Sequence, residues 1–264
     1  MLANRAAAML AAAFFVLATA TGCGGEDEDP VGAPEGAPEL TVSAAASLKT
    51  ALTSYAEGFT PARARLSFAG SDELAAQIRQ GVKPDVYASA NTKLPETLFE
   101  EGLVEEPKAF AASSLVLAVP ARSDAIESLD ELGEEGVTLA IGAEAVPVGA
   151  YTREVLARLD PVDSKRILAN VRSSEPDVAG IVGKLTQGAV DAGFVYLTDV
   201  TATDGRLKAI ELPARLQPQV AYGVAVVKGA KNPDGARQFV DGLLNGDGAD
   251  ALRAAGFEPP PPPK

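Results

Sequence analysis

Four short turns of small residues stand where a strand is expected to end and a helix to begin, at 44–47, 69–71, 146–149 and 175–177. A helix start leaves several backbone N–H groups without partners and carries partial positive charge, so it attracts an oxyanion. Two of the turns also carry a hydroxyl, from Ser47 and Ser71. Four such starts around one cleft would hold a small dianion without any Lys or Arg.

The residues of these turns, and Tyr196 at the end of a later strand, also have a purely structural interpretation. Ser47 and Ser71 are good N-caps, each worth about 1 kcal/mol of helix stability, and Asp177 is a natural N-cap for the next helix. Val148 can belong to a plain loop turn, and Tyr196 can be a core tyrosine whose hydroxyl bonds to backbone. The residues alone leave both interpretations open.

Composition limits the classes of partner. The chain has 264 residues, a formal net charge of −13, no His and one Cys. The negative charge argues against nucleic acid and anionic lipid as partners. It does not exclude an anion pocket, because surface charges are screened within about 8–10 Å in physiological salt.

The N-terminus resembles a secretory leader. Arg5 precedes an apolar run at 6–20, which ends just before Cys23. We therefore expect a signal peptide at 1–22 and lipidation of Cys23; the alternative is an ordinary signal peptide followed by a buried thiol. Residues 23–38 are acidic and rich in Gly and Pro, which predicts a flexible linker, and 258–264 form a Pro-rich tail.

Hydrophobic periodicity predicts an α/β protein in two lobes. Residues 40–89 alternate between apolar strands and helices with one apolar stripe, which is typical of a parallel sheet covered on both faces. Two long apolar strands, near 115–119 and 220–227, bracket a second such series. We expect lobe 1 at 39–118 plus 222–257 and lobe 2 at 119–221, with crossings near Val119 and Ala221. All four turns then lie at the carboxyl ends of strands, where ligands bind in open α/β sheets.

Several segments resemble the molybdate-binding proteins of bacterial molybdate ABC transporters. They are Ala44-Ala45-Ala46-Ser47-Leu48, Phe68-Ala69-Gly70-Ser71, Leu74-Ala75-Ala76-Gln77-Ile78 and Pro84-Asp85-Val86-Tyr87-Ala88-Ser89-Ala90. The segments 146–149, 177–178 and 194–196 follow in the family's order. The resemblance covers about residues 39–257 and implies a type II periplasmic-binding-protein fold with its ligand cleft between the lobes.

The same resemblance implies the ligand contacts. The oxyanion is expected to bind Ser47 and Ser71 through amide and hydroxyl, Val148 and Val178 through backbone amides, and Tyr196 through its phenolic hydroxyl. Val148 stands where the family pattern has a smaller alanine. Gly70 and Asp72 replace a serine-rich stretch, and Asp72 brings a carboxylate one residue from the expected anion. No cofactor and no metal cation are implied.

The expected function is capture of molybdate or tungstate by a monomeric, extracytoplasmic, membrane-anchored lipoprotein that delivers it to an ABC transporter permease. One alternative is a binder of another tetrahedral oxyanion, such as sulfate or phosphate. A hydrolytic enzyme is a remote alternative, because His is absent and only Asp85 near Ser89 offers an acid beside a hydroxyl. A purely structural surface lipoprotein would not need four helix starts on one cleft.

Overall fold

The computed structural model describes residues 36–262. The predicted signal peptide, Cys23 and most of the predicted linker lie outside this range. In chain order the strands are β1 (Glu39–Ala45), β2 (Arg63–Ala69), β3 (Val86–Ser89), β4 (Lys108–Ser113), β5 (Leu115–Pro120), β6 (Leu139–Gly142), β7 (Val171–Glu175), β8 (Ala192–Tyr196), β9 (Leu207–Glu211) and β10 (Val220–Val226).

Helices follow most of these strands. They are α1 (Lys49–Gly58), α2 (Ser71–Arg79), α3 (Lys93–Glu100), α4 (Pro147–Ala157), α5 (Pro161–Ala169), α6 (Val178–Thr186), α7 (Leu197–Thr201), α8 (Pro233–Asn245) and α9 (Asp247–Ala254), with short 3-10 helices at Ala46–Leu48 and Asp130–Gly133. None of the helices between residues 36 and 262 has the length and apolar character that a membrane crossing requires.

The strands form two five-stranded sheets built on the same plan. The first has the order β2-β1-β3-β10-β4 and the second the order β7-β6-β8-β5-β9. In each sheet three strands run parallel, and the fourth strand in the order pairs antiparallel with the third. The predicted α/β class and two-lobed type II fold are confirmed. We call the sheets, with the helices packed on them, the first and second lobes.

The crossings between the lobes differ from the predicted ones. All of β5 lies in the second sheet, where Leu115 pairs with Tyr196 and Leu117 pairs with Ile210. The first crossing is therefore at Ser114 rather than near Val119, and the second falls in 212–219 rather than at Ala221, since β10 belongs to the first sheet. Periodicity could not assign β5, because a strand buried on both faces looks the same in either sheet.

One Thr–Asp pair joins the start of β1 to the start of β3 in the first lobe, and another joins the start of β6 to the start of β8 in the second. Asp85 Oδ2 accepts from the backbone N and the hydroxyl of Thr41, each at 2.7 Å. Asp191 Oδ2 accepts in the same way from Thr138, at 2.8 and 2.6 Å. Both pairs lie at the amino ends of their strands, so the opposite, carboxyl ends are left free to form a site.

Candidate functional site

The predicted ligand residues meet at one small cavity between the lobes. Its volume is about 20 Å³, which is room for a compact group and not for a hydration shell around it. The first lobe contributes the ends of β1 and β2 with the helix starts that follow them. The second lobe contributes the starts of α4 and α6 and the end of β8. The lining includes all five predicted residues, Ser47, Ser71, Val148, Val178 and Tyr196, together with Gly70, Ala90, Val146, Pro147 and Asp177.

The helix starts present free backbone donors to this cavity. The N-caps of α2 and α4, Gly70 and Val146, make no side-chain capping bond. The N-cap of α6 is Asp177, whose Oδ1 accepts only from Gly180 N, at 2.9 Å. Because the first N–H groups of a helix have no partner within it, the amides at Ser71, Val148 and Val178 remain available to an acceptor in the cavity.

Two hydroxyls at the cavity lack partners altogether. Ser47 Oγ and Tyr196 OH are both buried and form no hydrogen bond within residues 36–262. Leaving a buried polar group unpaired costs about 1–3 kcal/mol, so these two hydroxyls, one from each lobe, are available to donate to an acceptor in the cavity. Ser71 Oγ accepts from Ala90 N at 3.1 Å, and its own hydrogen remains free to be donated.

The start of α4 is pressed against the end of β6. A Cβ on Gly149 would lie 1.9 Å from the carbonyl oxygen of Ala143, so the position requires glycine. The side chain of Val148 is buried, with Cγ1 close to Gly142. The extra bulk of Val148, relative to the family's alanine, is therefore accommodated against β6.

Gly70 is a site residue whose importance the sequence did not reveal. A Cβ there would lie 2.4 Å from the carbonyl oxygen of Pro176, in the other lobe, and 3.5 Å from Val146 Cγ1. The detectable signal was a glycine at an N-cap position where Ser, Asp or Asn is preferred. Asp72, whose carboxylate stands one residue from the expected anion, is not among the lining residues, and its Oδ1 is buried without a hydrogen-bond partner in the described part of the chain.

The cavity is electrostatically unusual for an anion site. Among its described lining residues there is no Lys or Arg, and Asp177 is the one carboxylate. Burial raises the pKa of Tyr196 well above its usual value, with the charges of neighbouring groups adding to the effect. Its hydroxyl therefore keeps its proton and can act only as a hydrogen-bonding group, not as a counter-charge.

Asp199 is hydrogen-bonded to the backbone of Tyr196. Asp199 Oδ2 accepts from Tyr196 N at 3.0 Å, at the start of α7. Burial raises the pKa of Asp199 to about 7, and the negative charge of Asp177 also raises it. The hydrogen bond from Tyr196 N lowers this pKa but does not outweigh the burial. The carboxyl thus changes charge near neutral pH.

A larger cleft, of about 830 Å³, contains none of the five predicted residues. It is lined by groups including Thr92, Lys108, Arg158, Gln217 and Pro261. Arg158 bonds to the Gln217 carbonyl and to Glu154, and Lys108 pairs with Asp241. Since these charges are already partnered and partly exposed, the small cavity with its unpaired donors is the better candidate site.

The arrangement does not suit the remote enzymatic alternative. Asp85 precedes β3 and Ser89 ends it, so the two lie at opposite ends of the strand and form no acid–hydroxyl pair. Burial acts to raise the pKa of Asp85, but hydrogen bonds from Thr41 and Asn232 outweigh it and lower the pKa. Asp85 is therefore a charged carboxylate with a structural role. Among residues 36–262 no group of three or more His, Cys, Asp or Glu side chains could hold a metal ion.

A small cavity lined by neutral donors between two α/β lobes is typical of a protein that binds a small oxyanion rather than transforming it. The chain belongs to the bacterial extracellular solute-binding protein family, whose model matches residues 40–258. This family membership makes it an extracytoplasmic binding protein and not an enzyme.

Individual relatives agree with the resemblance found in the sequence. The chain is 32% identical to the molybdate-binding protein ModA of Mycobacterium tuberculosis over 247 residues, or 91% of this chain and 92% of that one. It is 28% identical to the putative ABC transporter substrate-binding lipoprotein YvgL of Bacillus subtilis, covering 83% and 85%. The periplasmic molybdate-binding protein of Azotobacter vinelandii has the same fold, with a TM-score of 0.76 at 23% identity, covering 84% of this chain and 100% of that one.

Proposed function

We propose that the protein captures molybdate, or the similarly shaped tungstate, in the cavity between its lobes and delivers it to an ABC transporter permease. The observation that carries the proposal is the pair of buried hydroxyls, Ser47 Oγ and Tyr196 OH. They belong to opposite lobes and have no partner among the described residues. The similarity to ModA supports the choice of molybdate.

A set of neutral donors suits a fully ionised dianion. Hydrogen bonds to a charged acceptor are about twice as strong as neutral ones, and helix starts add favourable partial charge without a mobile side chain. An oxyanion that carries a proton, such as hydrogen phosphate, also needs an acceptor. In the described lining the donors outnumber the carboxylates, since Asp177 is the one carboxylate there and its Oδ1 caps α6 by accepting from Gly180 N. The site is therefore expected to prefer unprotonated oxyanions.

Donors from both lobes imply that binding and closure are linked. Ser47 and Ser71 stand on the first lobe, and Val148, Val178 and Tyr196 on the second. A bound anion bridges the two, so it favours the closed arrangement over an open one. The crossings at Ser114 and 212–219 are the proposed hinge, and the protein is proposed to act as a monomer.

Anchoring to the membrane is proposed from the sequence. A lipid attached to Cys23 would leave a linker of about 15 residues before β1, and such a chain is long enough to let the lobes move freely near a permease. The description of the related YvgL as a lipoprotein supports this arrangement.

Calorimetric titration tests the proposal. Purified protein is titrated with molybdate, tungstate, sulfate and phosphate, and the same is done with Ser47→Ala and Tyr196→Phe. We expect molybdate and tungstate to bind most tightly and both variants to bind more weakly. Tighter binding of sulfate would reassign the ligand within the same site. Equal affinity of all three proteins for molybdate would show that the anion binds elsewhere.

A further inference from the structure

Tyr222 lies directly behind the anion cavity with its hydroxyl unused by the fold. The residue is on β10, is completely buried, and does not line the cavity itself. Its OH forms no hydrogen bond within the described residues. Because a buried hydroxyl without a partner is costly, this group calls for a functional explanation.

Two other hydroxyls and a second tyrosine ring lie next to Tyr222. The Tyr222 OH faces those of Ser47 and Thr198, although neither pair is close and aligned enough to count as a hydrogen bond. Its ring packs against that of Tyr196, with centroids 5.7 Å apart and planes at 63°. Ser47 Oγ and Thr198 Oγ1 likewise have no partner in the part of the chain that the structure describes.

These groups come from both lobes. Tyr222 and Ser47 belong to the first lobe, whereas Thr198 on α7 and Tyr196 on β8 belong to the second. The cluster therefore exists only where the lobes meet, directly beside the proposed ligand.

We propose that Tyr222 is a positioning residue for the oxyanion, because its hydroxyl donates to Ser47 Oγ and so directs the Ser47 hydrogen toward the anion. The inference rests on the proposed function of the cavity. A hydroxyl has one hydrogen to give and two lone pairs with which to accept. Thr198 donates to Tyr222, Tyr222 donates to Ser47, and Ser47 donates to the anion. Each group then donates once, and every hydrogen points toward the negative charge.

The chemistry of Tyr222 fits this role. Burial, together with the nearby charge of Asp199, raises the pKa of Tyr222 well above its usual value, so the hydroxyl keeps the hydrogen that it must donate. Hydrogen bonds in a row polarise one another in a low-dielectric interior. Because Thr198 and Tyr222 are on different lobes, the row is completed only on closure, which makes Ser47 a stronger donor in the closed form.

The test is a set of molybdate titrations by calorimetry. Tyr222→Phe keeps the ring, which packs between Phe110, Phe257 and Tyr196, and removes only the hydroxyl. We expect affinity to fall about five- to thirtyfold, with no fall in the melting temperature of the free protein. Tyr55→Phe is the matched control. Its buried hydroxyl donates to the Phe239 carbonyl at 3.2 Å, away from the cavity, and its loss should leave affinity unchanged.

A double-mutant cycle separates positioning from general structure. If Tyr222 acts through Ser47, then Tyr222→Phe should cost less than twofold in a Ser47→Ala background. Thr198→Val should also weaken binding in the wild type and have little effect in Tyr222→Phe. An equal loss in both backgrounds, or wild-type affinity of Tyr222→Phe, would overturn the inference. Should Tyr222→Phe fail to fold, the affinity loss caused by Thr198→Val is measured with and without Ser47→Ala. A loss that disappears in the Ser47→Ala background supports the inference, and an equal loss in both backgrounds overturns it.

The outcomes distinguish this inference from the proposed function. A wild type that binds no oxyanion defeats the function and the inference together. A wild type whose binding is weakened by Ser47→Ala but not by Tyr222→Phe leaves the function standing and removes the inference alone.

Discussion

Gly70 of the first lobe and Pro176 of the second touch so closely that a single methyl group would not fit between them. A Cβ on Gly70 would lie 2.4 Å from the Pro176 carbonyl oxygen, well inside contact distance. The two residues flank the starts of α2 and α6, both of which face the cavity. Closure of the lobes therefore depends on the absence of a side chain at residue 70.

Gly70→Ala is predicted to hold the lobes apart at the cavity. Because the clash is with backbone, it cannot be relieved by a side-chain rotation, and one lobe must move away from the other. We expect molybdate affinity to fall at least tenfold with little change in the far-ultraviolet circular dichroism. Gly58→Ala, where no atom lies within 4 Å of the added Cβ, is the control. Unchanged affinity of Gly70→Ala would mean that the lobes of the liganded form stand further apart at residue 70 than they do in this structure.

Ser47→Ala and Ser71→Ala are predicted to weaken binding alike but to differ in stability. Each removes a donor to a charged acceptor, which is worth about 1.5–3 kcal/mol, or ten- to a hundredfold in affinity. Ser47 Oγ has no partner among residues 36–262, whereas Ser71 Oγ accepts from Ala90 N. Only Ser71→Ala should therefore lower the melting temperature of the free protein. Thermal unfolding with and without molybdate measures both effects, and a stability loss in Ser47→Ala would contradict the assignment of a free hydroxyl to Ser47.

The four strand-to-helix turns were predictable because their signals are local, whereas the five ligand residues were implied by the family resemblance. A strand, a small-residue turn and a helix start are written in consecutive residues, and the two-lobed plan places such turns at one edge of each sheet. The structure brings Ser47, Ser71, Val148, Val178 and Tyr196 to a single cavity. That they contact the anion stays a prediction until binding is measured.

The parts that the sequence did not predict depend on distant contacts. Neither β7 nor β9 was assigned, because each is a half-buried edge strand with weak apolar alternation. Helix α5 exposes most of its surface, including Val162, and so lacks a clear stripe. The need for glycine at residue 70 and the position of Tyr222 behind Ser47 arise only when the two lobes meet.

Cys23→Ser is predicted to release the protein from the membrane or to leave it as the uncleaved precursor. Lipidation needs the thiol, and a diacyl anchor holds far more firmly than a single acyl chain. The measurement is membrane fractionation with mass determination of the N-terminus. Ser71→Ala, which leaves the leader intact, should remain anchored and serves as the control. Normal processing and membrane retention of Cys23→Ser would refute lipidation at this residue.

Molybdate affinity is predicted to fall as the pH rises through about 7, because Asp199 then becomes negatively charged behind Tyr196. The folded pKa of Asp199 is about 7 against an ordinary value of 3.8. The native state therefore holds this proton more firmly than the unfolded chain, so the Asp199 contribution to stability is greatest below about pH 4 and declines until pH 7. A bound dianion disfavours a second negative charge nearby and raises this pKa further. Binding then takes up protons near neutral pH.

Asp199→Asn isolates this effect, since its side-chain carbonyl can still accept from Tyr196 N while the charge is lost. Calorimetry at about pH 6 and pH 8.5, a range in which molybdate stays fully ionised, should show a decrease of about three- to tenfold for the wild type and a flat profile for Asp199→Asn. Asp177, which caps α6 and whose charge acts on Asp199, is left unsubstituted in both proteins. Were the wild type and Asp199→Asn to show the same decrease, the titrating group would lie elsewhere in the protein.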